Sequence, residues 1–219
     1  MKSGRSFSRG ALNAYRSATR VRDKLFSLAV SGAFARFGSE TVIQLPVRLS
    51  GERRMSIGSG VFVGAGSWLQ TLGSSDAVAL EIGDGTSIAG NCVVSAAASV
   101  RIGERVLIAR GAYISDHAHA YERTDVPIAD QGIANIRPVV VGDGAWIGEN
   151  TVITPGAVIG AGAVVAANSV VSSEIPPYSV AIGSPARVVR RYGKDGAAEA
   201  PSDRVAVPAP AAASVEESS

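Results

Sequence analysis

Residues 141–171 read VGDGAWIGENTVITPGAVIGAGAVVAANSVV. Every sixth position is a branched aliphatic: Val141, Ile147, Ile153, Ile159, Val165 and Val171. The residue after each is small or nearly so, namely Gly142, Gly148, Thr154, Gly160, Ala166 and Ser172. A period of six is not the 3.6 of a helix, but it is a multiple of the strand period of two. It marks a coil of short strands and turns in which each hexad gives one large side chain to a shared interior.

Upstream the same ladder runs through Ile43 and Leu49, then Ile57, Val63 and Leu69, then Ile82, Ile88 and Val94, then Ile102, Ile108 and Ile114. Most breaks fall after three hexads, which implies triangular coils of about eighteen residues with short insertions at the corners. Those insertions are 50–53, 72–80 and 96–101. One interruption is of another size. Between Ile114 and Val141 the ladder is silent, and the excursion at 115–140 holds both histidines of the chain, His117 and His119. A long excursion that leaves and rejoins a regular core is usually functional or disordered.

Composition agrees with a tightly wound solenoid. Hydrophobic residues make up 46% and charged residues 18%, enough for a packed core, while 25 glycines and only 5% aromatics suit small corners. Cys92 is alone, so no intrachain disulfide forms, and its place four residues after Ile88 reads as a buried, inert thiol. No run approaches the ~18 apolar residues of a membrane span, and the expected compartment is the cytoplasm. Residues 1–37 carry eight basic residues and one acid, Asp23, so the rest of the chain is acidic and no nucleic-acid partner is expected.

Three parts follow. Residues 1–37 read as a basic helical arm, with Leu12, Tyr15, Val21, Leu25, Phe26 and Leu28 near helical spacings. Two readings of the arm stay open: its apolar side packs on the next domain or a neighbouring subunit, or it docks on the acidic inner face of a membrane. Residues 38–193 form the solenoid, an all-β fold with the long loop at 115–140. Pro176, Pro177 and Pro185 end the repeat, and ARVVRRY reads as a short C-terminal helix over the open end. The tail at 194–219, rich in Ala, Pro, Ser and Glu, reads as disordered.

The hexads ending in WIGENTVITPGAVIGAGAVVAANSVV, the closing IPPYSVAIGSPARVVR and the SDHAHAY segment resemble the hexapeptide-repeat acyltransferases. The likeness is greatest to sugar O-acetyltransferases of polysaccharide and lipopolysaccharide biosynthesis and to the maltose and galactoside acetyltransferases. That resemblance implies a left-handed parallel β-helix, a homotrimer, acetyl-CoA as acyl donor, no metal, and a sugar acceptor. It also implies site residues. His117 lies where the relatives carry a catalytic loop histidine, with His119 as its rival.

Moving an acetyl group from a thioester to a hydroxyl needs a base, and histidine titrates nearest to neutrality. Asp116 or Glu122 is placed to orient the imidazole or hold the sugar. Asn91 offers an amide to the substrate, although the register puts Ala89 where the relatives have their asparagine. Trp146 resembles the tryptophan beside the acceptor groove. For coenzyme A the resemblance implies a backbone contact at Ala167, then Ser172 and Ser173, and phosphate contacts from Arg187 and Arg190. Ser172-Ser173 stands where the relatives have Thr-Lys, and Arg191 is near enough to compensate. The rival functions are N-acetylation of a nucleotide-linked amino sugar and a non-catalytic β-helical scaffold. A β-helical zinc enzyme of the carbonic anhydrase type needs three histidines around the metal, and this chain has two.

Overall fold

A computed structural model describes residues 3–193 and 198–199. The chain winds into a parallel β-helix with three faces. Sheet A contains Arg36–Phe37, Met55–Ile57, Leu80–Ile82, Val100–Ile102, Val139–Val141, Val158–Ile159 and Glu174–Ile175. Sheet B runs from Val42–Ile43 through Phe62–Val63, Ser87–Ile88, Leu107–Ile108, Trp146–Ile147 and Val164–Val165 to Ser179–Ile182. Sheet C stacks Arg48–Ser50, Trp68–Thr71, Val93–Ala96, Tyr113–Ser115, Val152–Ile153 and Val170–Val171.

Register explains the six-residue period. Ile108 pairs with Ile88 on one side and Ile147 on the other, and Ile114 pairs with Val94 and Ile153. Identical rungs therefore stack into aliphatic columns along the axis. Of the seventeen ladder positions all but Leu49 are buried, most at 0% exposure. Each such side chain contributes on the order of 1.5–3 kcal/mol. The backbone between rungs bonds to the coil above, as in Leu107 N–H to Ala145 O (2.9 Å) and Ala109 N–H to Ile147 O (2.8 Å).

The ladder is longer at both ends than its aliphatic spacing indicates. Phe37 opens it, paired with Ile57, and Ile175 and Ala181 continue it past Val171, Ala181 lying beyond the Pro176–Pro177 pair that was expected to stop it. The segment ARVVRRY is not a helix. Arg187–Tyr192 is a strand, antiparallel to Ser179–Ile182. The last coil leaves the edge of sheet B open, and Val188 and Val189 are β-branched, so pairing with that edge wins over a helix too short to be stable alone. Of the tail expected to be disordered, Ala198–Glu199 forms a further antiparallel strand on Arg187–Tyr192. The rest of 194–219 lies outside the described residues.

The arm is a helix, α1 (Ser3–Val30). Among the described residues, its hydrogen bonds to the solenoid come from its C-terminal turns. Ser27 Oγ accepts the Ile43 N–H (2.8 Å), Asp23 Oδ1 accepts the Leu45 N–H (3.3 Å), and Phe26 and Val30 pack on the core. This covers the open end of the solenoid, where Phe34 and Phe37 meet with ring centroids 5.0 Å apart. The apolar residues Leu12, Val21, Leu25 and Leu28 do not face the domain; all are more than half exposed. Among the described residues no helix is long and apolar enough to cross a membrane.

Candidate active site

Every insertion in the ladder, including the long one, leaves from the same edge of the prism, where sheet C turns into sheet A. Stacked side by side, the insertions wall in one carboxylate. Asp116 is 0% exposed and accepts three backbone N–H groups from the insertion one coil earlier: Ala97 (2.8 Å), Ala98 (2.7 Å) and Ser99 (2.7 Å). Burial pushes the Asp116 carboxyl up, but the Ala97 N–H, the His117 ring and the other two amides outweigh it and hold the group below its ordinary value. Arg54, itself buried, donates to the carbonyls of Leu72, Ala77 and Ala97, tying two of the insertions together.

His117 sits on this carboxylate. Its Nδ1 is 2.8 Å from Asp116 Oδ1, and its side chain is only 9% exposed. A carboxylate can only accept, so Nδ1 carries a proton, and in the neutral ring the lone pair is on Nε2. Ser115 Oγ holds the His117 backbone, donating to its carbonyl at 2.8 Å. On the other side of the ring Nε2 faces Ser95 Oγ at 3.5 Å, and Ser95 Oγ accepts from Gln70 Nε2 at 2.7 Å. Gln70, Ser95 and Ser115 are register partners on consecutive rungs of sheet C. Each follows an inward aliphatic (Leu69, Val94, Ile114). Aligning the hexads coil by coil brings the three together; reading along the chain does not.

The two histidines have different surroundings. The 115–140 excursion folds back as an antiparallel ribbon, Ala118–His119 against Ile133–Ala134, and Arg137 N–H returns to Asp116 O at 2.8 Å. His119 lies on that ribbon, exposed, and lines a cavity of about 510 Å³ with Tyr121, Glu122, Gln131 and Asn135. Glu122 thus belongs with His119, and Asp116 is the residue that orients His117.

Asn91 is not beside the histidine. It sits at the opposite end of a sheet C strand, at the corner between sheets B and C, with φ 61°. Gly66, Gly111, Asn150 and Asn168 take the same left-handed conformation at the matching place in other coils. Asparagine tolerates that region better than most residues, which suits it to the corner.

Trp146 is half exposed on the outside of sheet B, in a row with Leu107 and Val164. An apolar pocket of about 470 Å³ opens there, lined by Ala109, Trp146, Gly148, Val164 and Ala167. Ala167 and Trp146 are therefore brought together. Arg190 pairs with Val180, which pairs with Val164, so it lies further along the same sheet, its guanidinium 4.8 Å from the Tyr192 ring centroid. Arg187 pairs with Ile182 on the same strand. Ser172 and Ser173 are elsewhere: exposed, at the turn from sheet C to sheet A, on the edge that also carries His117. Cys92 is fully buried, and burial pushes its thiol up, as befits an inert group.

Residues 138–173 match the family described as bacterial transferase hexapeptide (six repeats). The chain is 33% identical to a probable acetyltransferase of Mycobacterium tuberculosis over 51% of its own length, a match that spans only 37% of that protein. It is 29% identical to the putative lipopolysaccharide biosynthesis O-acetyl transferase WbbJ of Escherichia coli, over 70% of this chain and 80% of the other. Among solved structures, a hexapeptide-repeat-containing acetyltransferase from Vibrio cholerae, complexed with acetyl coenzyme A, superposes with a TM-score of 0.54. It is 27% identical, over 80% of this chain and 87% of that one.

Proposed function

We propose, for a chain whose repeat and fold are those of the hexapeptide-repeat acetyltransferases, that it moves an acetyl group from acetyl-CoA to a sugar hydroxyl, with His117 as the base. The acceptor class is a saccharide of exopolysaccharide or lipopolysaccharide synthesis, in keeping with the likeness to WbbJ. One observation carries the reading: a buried Asp116 carboxylate holds Nδ1 of His117, which leaves Nε2 as the basic nitrogen.

The chemistry follows from that arrangement. His117 Nε2 takes the proton of the acceptor hydroxyl as its oxygen bonds to the thioester carbonyl carbon. The ring is then cationic and is stabilised by Asp116. When the carbon–sulfur bond breaks, the same nitrogen returns the proton to the departing sulfur, and the ring is neutral again. Ser95, steadied by Gln70, flanks Nε2 at 3.5 Å, and the acceptor hydroxyl approaches the same nitrogen. The apolar pocket at Trp146 and Ala167 suits the pantetheine arm, with Arg190 and Arg187 placed for phosphates and Ser172 and Ser173 beside the His117 edge.

In one chain, sheet C separates the pocket at Trp146 from the edge that bears His117. That separation favours a site shared by neighbouring copies, hence a homotrimer, which light scattering of the full chain tests. The activity is tested by transfer from acetyl-CoA to hydroxy and amino sugars with the native chain and His117→Ala. Loss of transfer in the variant is expected; undiminished transfer removes His117 from the mechanism, and acetylation of amines alone replaces O-transfer by N-transfer.

A further inference from the structure

The reaction proposed above makes no use of α1. Among the described residues, the first hydrogen bond from this helix to the solenoid is at Arg22, and residues 9–22 are exposed apart from a half-buried Thr19. The small and apolar residues along it keep a strict alternation of four and three: Ala11, Ala14, Ala18, Val21, Leu25 and Leu28. These are the a and d positions of a heptad, with Ala11, Ala18 and Leu25 at a and Ala14, Val21 and Leu28 at d. The residues that fasten the helix to its own domain, Asp23, Phe26, Ser27 and Val30, fall at f, b, c and f. They lie on the opposite side. The seam therefore points away from the solenoid, and Val21, Leu25 and Leu28 are 59%, 60% and 63% exposed.

We infer that α1 packs in parallel, seam to seam, against the same helix in other copies of this chain. A 3.5-residue repeat keeps a stripe in register with a second helix over several turns. The outer half of the stripe is alanine, which lets helix backbones approach closely and gives little grip on acyl chains. Charge fits the same occupant. Arg9 and Arg16 at f and Arg20 at c lie off the seam. In parallel packing the flanking g and e positions set Ser17 beside Arg22 and Lys24 beside Ala29, so no like charges meet. A lone helix is marginal in water. The seam runs for about five turns, from Ala11 to Leu28. This contact is separate from any between solenoid faces and does not depend on the transfer reaction.

Cys92 is fully buried, so an engineered cysteine is the accessible thiol. Ala14→Cys, at d, in the full chain treated with a mild oxidant is expected to run mostly as a covalent dimer on a non-reducing gel. Arg16→Cys, at f, is expected to stay unlinked. Equal linking of the two variants, or none in Ala14→Cys, overturns the inference. So does sedimentation of the native chain with phosphatidylserine-containing vesicles, lost in Val21→Asp/Leu25→Asp, with Ala14→Cys unlinked; that result assigns the seam to lipid. The linking readout needs no enzymatic activity, so it stands or falls apart from the proposed function.

Discussion

Asp116 Oδ1 lies 2.8 Å from His117 Nδ1, although the two residues are adjacent in the chain. Neighbouring side chains on an extended strand point to opposite faces, so this contact exists only because the chain leaves sheet C here. The Asp116 carboxylate turns inward to the amides of Ala97, Ala98 and Ser99, one coil earlier. The imidazole folds over the carboxylate and presents Nε2 to the Ser95 hydroxyl.

Asp116→Asn keeps the size of the side chain and removes the charge. The amide cannot fix the Nδ1–H tautomer as the carboxylate does, and it cannot stabilise the ring when it becomes cationic. We expect kcat for acetyl transfer to fall by on the order of 10²-fold or more, with the KM for acetyl-CoA little changed, in steady-state assays at pH 7.

Stability should depend on acid through the same group. The native pKa of Asp116 is lowered, so folding binds its proton less well than the unfolded chain does. The resulting stabilisation is complete above the unfolded value of about 3.9 and is lost as pH falls through the lower native pKa. Urea midpoints between pH 7 and pH 2 should drop at the acid end in the native chain, and less so in Asp116→Asn.

Gly148 lies against the coil that carries Ala167. A Cβ at 148 would come within 2.4 Å of the Ala167 backbone nitrogen, and backbone cannot step aside as a flexible side chain can. Gly148→Ala should displace the wall of the pocket at Trp146. The expected result is a rise in the KM for acetyl-CoA of about tenfold, larger than any change in kcat, measured against native chain of equal fold by circular dichroism.

Ile153 is fully buried and paired with Ile114 and Val171, the rungs on either side. Ile153→Ala would leave a cavity within the column, because neighbouring coils are held in register by their own hydrogen bonds and cannot close over it. A loss of about 2–5 kcal/mol in urea unfolding is expected.

The core was legible in the sequence because inward positions in a β-helix recur at a fixed step. From Ile43 to Val171 each aliphatic on the ladder found its stacked partner, and all but Leu49 are buried. The gathering of both histidines of the chain into one excursion was legible too. Other features were hidden by the same regularity. Only when the corners are stacked does Asn91 join Gly66, Gly111, Asn150 and Asn168 in the left-handed region. The segment at 187–192 alternates weakly enough to pass for a helix, and only the open edge of sheet B draws it into a strand.

By itself the sequence determined the solenoid, its three-hexad coils and the place of the one large interruption, because burial of an aliphatic every sixth residue is a local requirement repeated along the chain. The tertiary structure decided which groups surround the histidine. Ala97, Ala98 and Ser99 hold the Asp116 carboxylate, Ser95 faces Nε2, and Gln70 steadies Ser95, all from earlier coils. Parallel stacking brings residues a full coil apart to within hydrogen-bond distance, so the surroundings of His117 depend on register between rungs and not on neighbours along the chain.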